Sequence, residues 1–182
     1  MNAERIDEGL WRWTGLHPDW QPGQGWEREV GCVYGELPEA IVLIDPLIPP
    51  EEPGRFLEFL DRDVERLGRP VSILLTTESH ARSSAELAAR YSATFDLPPG
   101  VETHKLGWGG ERAYWLAPYR ALVFGDALLG GPRVPADWAG EELPALLDGL
   151  RSLLDLAPER LLVSHGEPVL EGGRQALARA VG

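Results

Sequence analysis

The sequence predicts an α/β protein in which two sheets are sandwiched between helices. The prediction rests on a strand–helix–strand–helix pattern in the first half, a meander of short strands after Pro99, and a further strand–helix pair near the end. Packing helices against a sheet is one of the few arrangements that bury the apolar side of both kinds of element. Because no repeat, low-complexity tract or linker divides the 182 residues, we expect a single domain over residues 1–182.

Apolar runs bounded by turn residues give the elements of the first half. Strands are predicted at 10–14, 29–35, 40–44 and 71–75. A helix after Pro53 has one apolar face, formed by Leu57, Leu60, Val64 and Leu67. Gly68 with Pro70 just beyond is typical of a helix end. A second helix follows Ser83, which has with Glu86 the spacing of a capping box.

The second half alternates between the two element types in the same way. After Pro98-Pro99-Gly100, short strands are predicted at 101–106, 112–116 and 121–124. The chain then continues with a helix at 143–156, a strand at 160–163 and a terminal helix at 173–181.

Charge and composition exclude several classes of partner. The net charge is −12 with no basic cluster, so neither nucleic acid nor an anionic membrane surface is expected as a partner. No apolar run has the length of a membrane span, and the acidic N-terminus lacks the features of a signal peptide. The single cysteine, Cys32, precludes an internal disulfide, and a cytoplasmic location is expected.

Polar residues follow four of the predicted strands. Asp45 follows strand 40–44, and the segment Thr77-Glu78-Ser79-His80-Ala81-Arg82-Ser83 follows strand 71–75. Asp126 follows strand 121–124 through Gly125, and His165 follows strand 160–163 through Ser164. Loops at the carboxyl ends of strands carry the chemistry of many α/β proteins. These four positions therefore define a candidate site.

Together these residues resemble the metallo-β-lactamase superfamily over nearly the whole chain. The loop after strand 71–75 is similar to the family signature Thr-His-x-His-x-Asp-His, of which only the second histidine is kept, as His80. Glu78 stands at the first histidine, Arg82 at the aspartate and Ser83 at the last histidine. The resemblance implies a four-layer αββα sandwich, small and without long insertions.

The resemblance also implies a role for each matching position. Asp45 matches an early structural aspartate and His80 a ligand of the first metal site. Asp126 matches the metal-bridging carboxylate and His165 a ligand of the second site. Where the family has a further histidine, in a Gly-His-Thr turn, Glu111 is the nearest polar residue.

The departures from the signature leave room for at most one ion. A guanidinium has no lone pair to donate, and Arg82 would repel a dication a few ångströms away by about 4 kcal/mol at an effective dielectric constant near 20. The candidate ligands are Glu78, His80, Asp126 and His165. Nitrogen and oxygen donors of this kind suit zinc, manganese or iron.

Two functions stay open on these residues. The first is a metal-dependent hydrolase of a small ester, thioester, lactone or phosphoester, with Asp126 and Arg82 as catalytic residues and Arg82 stabilising developing negative charge. The second is a metal-free, non-catalytic protein that binds a small molecule or another protein. In that case Arg82 pairs with Asp126 and replaces the charge of the missing ion. An α/β domain unrelated to the family would instead hold the four positions apart.

Several other conspicuous residues are expected to be structural. Cys32 lies in an apolar stretch and is interpreted as a core residue rather than a nucleophile. His17 is assigned to a turn and His104 to a strand, both outside the site. Four tryptophans within the first thirty residues either line a pocket or attach the N-terminal segment to the core, and the second role is favoured. The sequence specifies neither the substrate nor the oligomeric state.

Overall fold

The computed structural model describes residues 2–182, which divide into two units. Unit 1 comprises the residues up to Leu75 together with Ala81–Pro99, and unit 2 comprises Thr76–His80 and Gly100–Gly182. Each unit combines one mixed sheet with helices. The expectation of a single domain over residues 1–182 stays a prediction.

Unit 1 contains a five-stranded sheet whose strands follow one another in chain order. Its elements are β1 (Asn2–Asp7), β2 (Leu10–Leu16), β3 (Glu29–Glu36), β4 (Ile41–Ile44), α1 (Pro53–Leu67), β5 (Val71–Leu74) and α2 (Ser84–Tyr91). Strands β1 to β4 pair antiparallel, whereas β4 and β5 are parallel and are connected through α1. A parallel pair needs such a crossover, because its strands run in the same direction.

Helix α1 begins and ends where the sequence predicts. Pro53 occupies the first turn, where its missing N–H leaves no hydrogen bond unmade. Gly68 ends the helix in the left-handed region at φ 60°, and its N–H donates to Val64 O at 2.9 Å. Phe56 and Leu60 are buried on the sheet side of the helix, which stabilises the unit by about 1.5–3 kcal/mol for each side chain.

Two features of unit 1 differ from the sequence-based expectations. Strand β1 was not predicted, because its residues are exposed or half-buried and show no apolar alternation. Ser83 is the N-cap of α2, but the predicted capping box is wrong, since no side-chain cap bond forms. The Ser83 hydroxyl instead accepts the backbone N–H of Ile48 at 2.9 Å.

Unit 2 contains a four-stranded sheet, again in chain order. Its elements are β6 (Val101–Lys105), β7 (Arg112–Leu116), β8 (Ala121–Phe124), α3 (Ala136–Ala139), α4 (Leu143–Ser152), β9 (Arg160–Val163) and α5 (Gly173–Ala180). Strands β6 to β8 are antiparallel, and β8 pairs parallel with β9. The predicted helix at 143–156 is α4 continued by a 3-10 turn at Leu153–Leu156.

The cores confirm most assignments of single residues to structural roles. Cys32 and Trp13 are buried in the core of unit 1, and burial raises the pKa of the Cys32 thiol. His104 lies in β6 beside Glu102, at 3.6 Å. His17 follows β2, and its backbone N–H donates to Arg28 O. Within residues 2–182, no helix has both the length and the apolar character that crossing a bilayer requires.

Candidate metal site

Three side chains converge within unit 2, and two of them follow neighbouring parallel strands. Asp126 lies two residues beyond β8, and His165 lies two residues beyond β9. Since β8 and β9 are parallel, with Phe124 opposite Val163, their carboxyl ends meet at one edge of the sheet. His80 belongs to the short 3-10 turn Glu78–Ala81, which follows Thr76. Of the described residues, this group alone has the composition and spacing of a metal site.

The distances from Asp126 to the two imidazoles match those between ligands of one tetrahedrally coordinated ion. Nε2 of His80 lies 3.4 Å from Oδ1 of Asp126, and Nε2 of His165 lies 3.2 Å from the same oxygen. The potential ligand atoms of all three side chains lie within 4.8 Å of one another. Ligands bonded to zinc at about 2.0–2.2 Å lie about 3.3–3.6 Å apart at the corners of a tetrahedron. The arrangement of nitrogen and oxygen donors therefore fits one divalent ion.

Asp126 supplies the negative charge of this cluster. Its Oδ1 atom is buried and receives no hydrogen bond of regular geometry from the described residues. Burial by itself raises the pKa of the Asp126 carboxyl, but contacts with His165 and His80 outweigh burial and hold that pKa below its ordinary range. The side chain is thus an ionised carboxylate at neutral pH, which is the form that binds a metal.

The two imidazole rings approach the carboxylate from different directions. Their centroids are 6.2 Å apart and their planes are inclined by 63°, so the rings do not stack. Only 6% of His80 and 8% of His165 is exposed, which excludes most water from the nitrogen atoms. An ion held by two imidazoles and one carboxylate would keep further coordination positions for water or substrate.

Thr76 contacts the ring nitrogen of His80 that does not face Asp126. The Thr76 hydroxyl oxygen lies 3.1 Å from Nδ1 of His80, and the threonine is fully buried. Metal-binding histidines usually bond through their second ring nitrogen to a neighbouring group, which fixes the ring orientation. Sequence reasoning missed Thr76 as a partner of His80.

Gly125 and Glu111 complete the surroundings of Asp126. A methyl group on Gly125 would collide with Thr76 Oγ1 and would lie 3.0 Å from Glu111 Oε2. Only glycine therefore allows these two side chains so close to the end of β8. Glu111 itself is 4% exposed and immediately precedes β7. The polar residue that stands where the family has its further histidine thus lies beside the cluster.

Two predicted site residues have other surroundings. Glu78, the fourth candidate ligand, is exposed and is not part of the group of three. Arg82, in unit 1, donates from Nη1 to the backbone oxygens of Gly31 at 3.0 Å and Asp45 at 2.9 Å. Within unit 2, Asp126 contacts the two imidazoles. The predicted Arg82–Asp126 pair stays a prediction.

Comparison with known proteins identifies the fold. No family model and no curated protein sequence matches the chain. A mono-zinc NDM_FIM-1-like metallo-β-lactamase from Erythrobacter litoralis is similar over 99% of this chain and 94% of its own, with a TM-score of 0.66 and 13% identity. Metallo-β-lactamase FIM-1 from Pseudomonas aeruginosa, also in a mono-zinc form, is similar over 99% and 94%, with a TM-score of 0.61 and 11% identity.

A third solved structure shows the same likeness. A metallo-β-lactamase family protein from Thermus thermophilus is similar over 96% of this chain and 79% of its own length, with a TM-score of 0.57 and 17% identity. These likenesses extend over nearly the whole chain, so the protein has the metallo-β-lactamase fold. The α/β class and fold type predicted from the sequence are confirmed.

Proposed function

We propose that this protein is a metal-dependent hydrolase that binds one divalent ion through His80, Asp126 and His165. The proposal is carried by the separation of Asp126 Oδ1 from the two imidazole nitrogens, which is that of ligands sharing a tetrahedral ion. The fold similarity to two mono-zinc structures supports a single ion. Zinc, manganese and iron all suit the donor set.

Each of the three side chains has a definite part in this proposal. Asp126 contributes the negative charge, and His80 and His165 contribute neutral nitrogen donors. Thr76 keeps His80 oriented with Nε2 towards Asp126. When bound, a divalent ion polarises a carbonyl or phosphoryl oxygen and makes water more acidic. The proposed substrates are accordingly a small ester, thioester, lactone or phosphoester.

The overall charge supports a small substrate. At a net charge of −12 the protein repels polyanions, so nucleic acid and anionic membranes are not proposed as partners. The metal-free alternative depended on Arg82 replacing the charge of an ion beside Asp126. The contacts of Arg82 with the carbonyl groups of Gly31 and Asp45 supply no support for that alternative, whereas the grouping of His80, Asp126 and His165 supports the metal site.

Elemental analysis tests the metal site directly. The protein is purified without added metal, reconstituted separately with zinc, manganese or ferrous iron, and freed of unbound ions. We expect one ion per chain for at least one metal, and loss of this ion in His80→Ala, His165→Ala and Asp126→Asn. His104→Ala removes a histidine outside the cluster and is expected to retain the ion. Absence of stoichiometric metal under all three conditions would refute the proposal.

Hydrolysis is then measured with the metal-loaded protein. A panel of chromogenic acetate ester, acyl thioester, lactone and phosphodiester substrates covers the proposed classes. We expect turnover of at least one class, with loss of that turnover in Asp126→Asn and no loss in His104→Ala. Turnover that is equal with and without the ion would contradict a metal-dependent reaction.

A further inference from the structure

A second candidate site lies in unit 1, beside helix α1. A cavity of about 430 Å³ opens between this helix and the face of strands β1 to β4. Half of its lining residues are aromatic, namely Trp11, Trp13, Tyr34, Phe56 and Phe59. Cavities of about 300–1,000 Å³ with such a lining are typical of small-molecule sites.

These side chains come together because alternate residues of a strand share one face and residues three or four apart share one side of a helix. Trp11 and Trp13 are two residues apart on β2 and therefore point to the same face, and Trp11 lies opposite Tyr34 on β3. On α1 the lining residues recur three and four positions apart, which places them on one side of the helix. The cavity is thus a consequence of the strand register and of the apolar face of α1.

The cavity has a buried floor and an exposed mouth. Trp13 and Phe56 form the floor, with ring centroids 5.3 Å apart and exposures of 4% and 8%. Trp11 and Phe59 are 38% and 46% exposed. Large aromatic side chains left open to solvent around a concave apolar surface are characteristic of a binding site.

Positive charge is concentrated at the Phe59 side of the mouth. The guanidinium carbon of Arg55 lies 5.7 Å from the centre of the Phe59 ring, and that of Arg62 lies 5.5 Å from it. Arg55 has an exposed acidic partner, Glu52, at 3.3 Å. Arg62 forms no ion pair with any residue from 2 to 182.

The acidic residue of the lining, Asp63, has an arginine partner. It accepts two hydrogen bonds from Arg66, at 3.0 and 3.2 Å, and Arg66 also pairs with Glu36 at 2.6 Å. Arg55 is paired with Glu52, so Arg62 is the arginine beside Phe59 that has no carboxylate partner among residues 2–182. This guanidinium favours an anionic group at the mouth of the apolar cavity.

We propose that this cavity binds a free small molecule with a flat apolar body and one anionic group, such as an aromatic carboxylate. The body packs against Trp13 and Phe56, and the anion lies beside Arg55 and Arg62. The site is separate from His80, Asp126 and His165 and does not depend on the proposed hydrolase activity.

Two fluorescent probes of similar shape test the proposal. Anilinonaphthalene sulfonate carries one negative charge, and N-phenyl-1-naphthylamine carries none. We expect saturable binding of the sulfonate to the full-length protein at one probe per chain, with quenching of tryptophan fluorescence. The double substitution Arg55→Gln with Arg62→Gln should weaken sulfonate binding by roughly tenfold and change binding of the neutral probe little. Phe59→Ala should weaken the binding of both probes.

The controls separate this site from non-specific binding and from self-association. Arg179→Gln removes an exposed arginine of α5 and should leave binding of both probes unchanged. Absence of saturable binding, or equal losses of the two probes in the double arginine variant, would overturn the proposal. A concentration-dependent dimer that excludes the probe would assign this surface to a second copy of the chain and would overturn it as well.

Discussion

The hydroxyl oxygen of Thr76 lies 3.1 Å from Nδ1 of His80, and both side chains are buried. A hydrogen bond from Nδ1–H to this oxygen leaves the lone pair of the ring on Nε2, the nitrogen that faces Asp126. Thr76 is therefore a positioning residue for the candidate metal site. It acts through His80 and has no contact of its own with an ion in the proposed arrangement.

Replacing Thr76 by valine should weaken metal binding while retaining the shape of the side chain. Loss of the hydroxyl leaves His80 without its orienting partner, and such losses typically lower metal affinity by about 10–100-fold. Affinity is measured by competition with a chromophoric chelator. Thr76→Ser keeps the hydroxyl and should restore most of the affinity. Equal affinities in the wild-type protein and Thr76→Val would contradict the positioning role.

A methyl group at Gly125 should destabilise the protein. In Gly125→Ala the new carbon collides with Thr76 Oγ1 and crowds Glu111 Oε2, and overpacking of this kind costs about 1–3 kcal/mol in free energy of unfolding. Urea-induced unfolding gives the difference. Gly54→Ala is the matched control, because nothing lies within 4 Å of that position in α1 and alanine favours a helix. A stable Gly125→Ala variant would disprove the close approach.

Metal should stabilise the folded chain through the cluster. An ion that binds only the folded state raises the free energy of unfolding by about 2.7 kcal/mol at a free concentration one hundred times Kd. Unfolding by urea is compared with and without the ion. Asp126→Asn should abolish the increase, whereas Asp148→Asn, at an exposed carboxylate, should preserve it. Stabilisation of equal size in Asp126→Asn would place the ion elsewhere.

Arg82→Met should lower stability without removing the metal. The substitution leaves the carbonyl oxygens of Gly31 and Asp45 without this donor, at an expected cost of about 1–3 kcal/mol in free energy of unfolding. Arg62→Met removes an arginine of the same charge from the surface of α1 and should change stability by less than about 0.5 kcal/mol. Elemental analysis is run on both variants. If Arg82→Met loses the ion and Arg62→Met keeps it, Arg82 contributes to metal binding and this prediction is contradicted.

Local patterns in the sequence were sufficient for most of the fold. The apolar runs that became β3, β4, β5 and β8 are visible without coordinates, because burial of a strand requires consecutive or alternating apolar residues. The end of α1 at Gly68 follows from the conformational freedom of glycine. Strand β1 escaped prediction because an exposed edge strand needs no such pattern.

The sequence by itself determined that Asp126 and His165 each follow an apolar strand and that a histidine survives in the loop after β5. Only the tertiary structure decided which donors converge, placing Asp126 between two imidazoles, Thr76 behind His80, and Arg82 on the carbonyl groups of Gly31 and Asp45. The physical reason is that strand and helix formation depends on neighbours along the chain. The partner of a long polar side chain depends instead on which distant groups packing brings within about 3 Å.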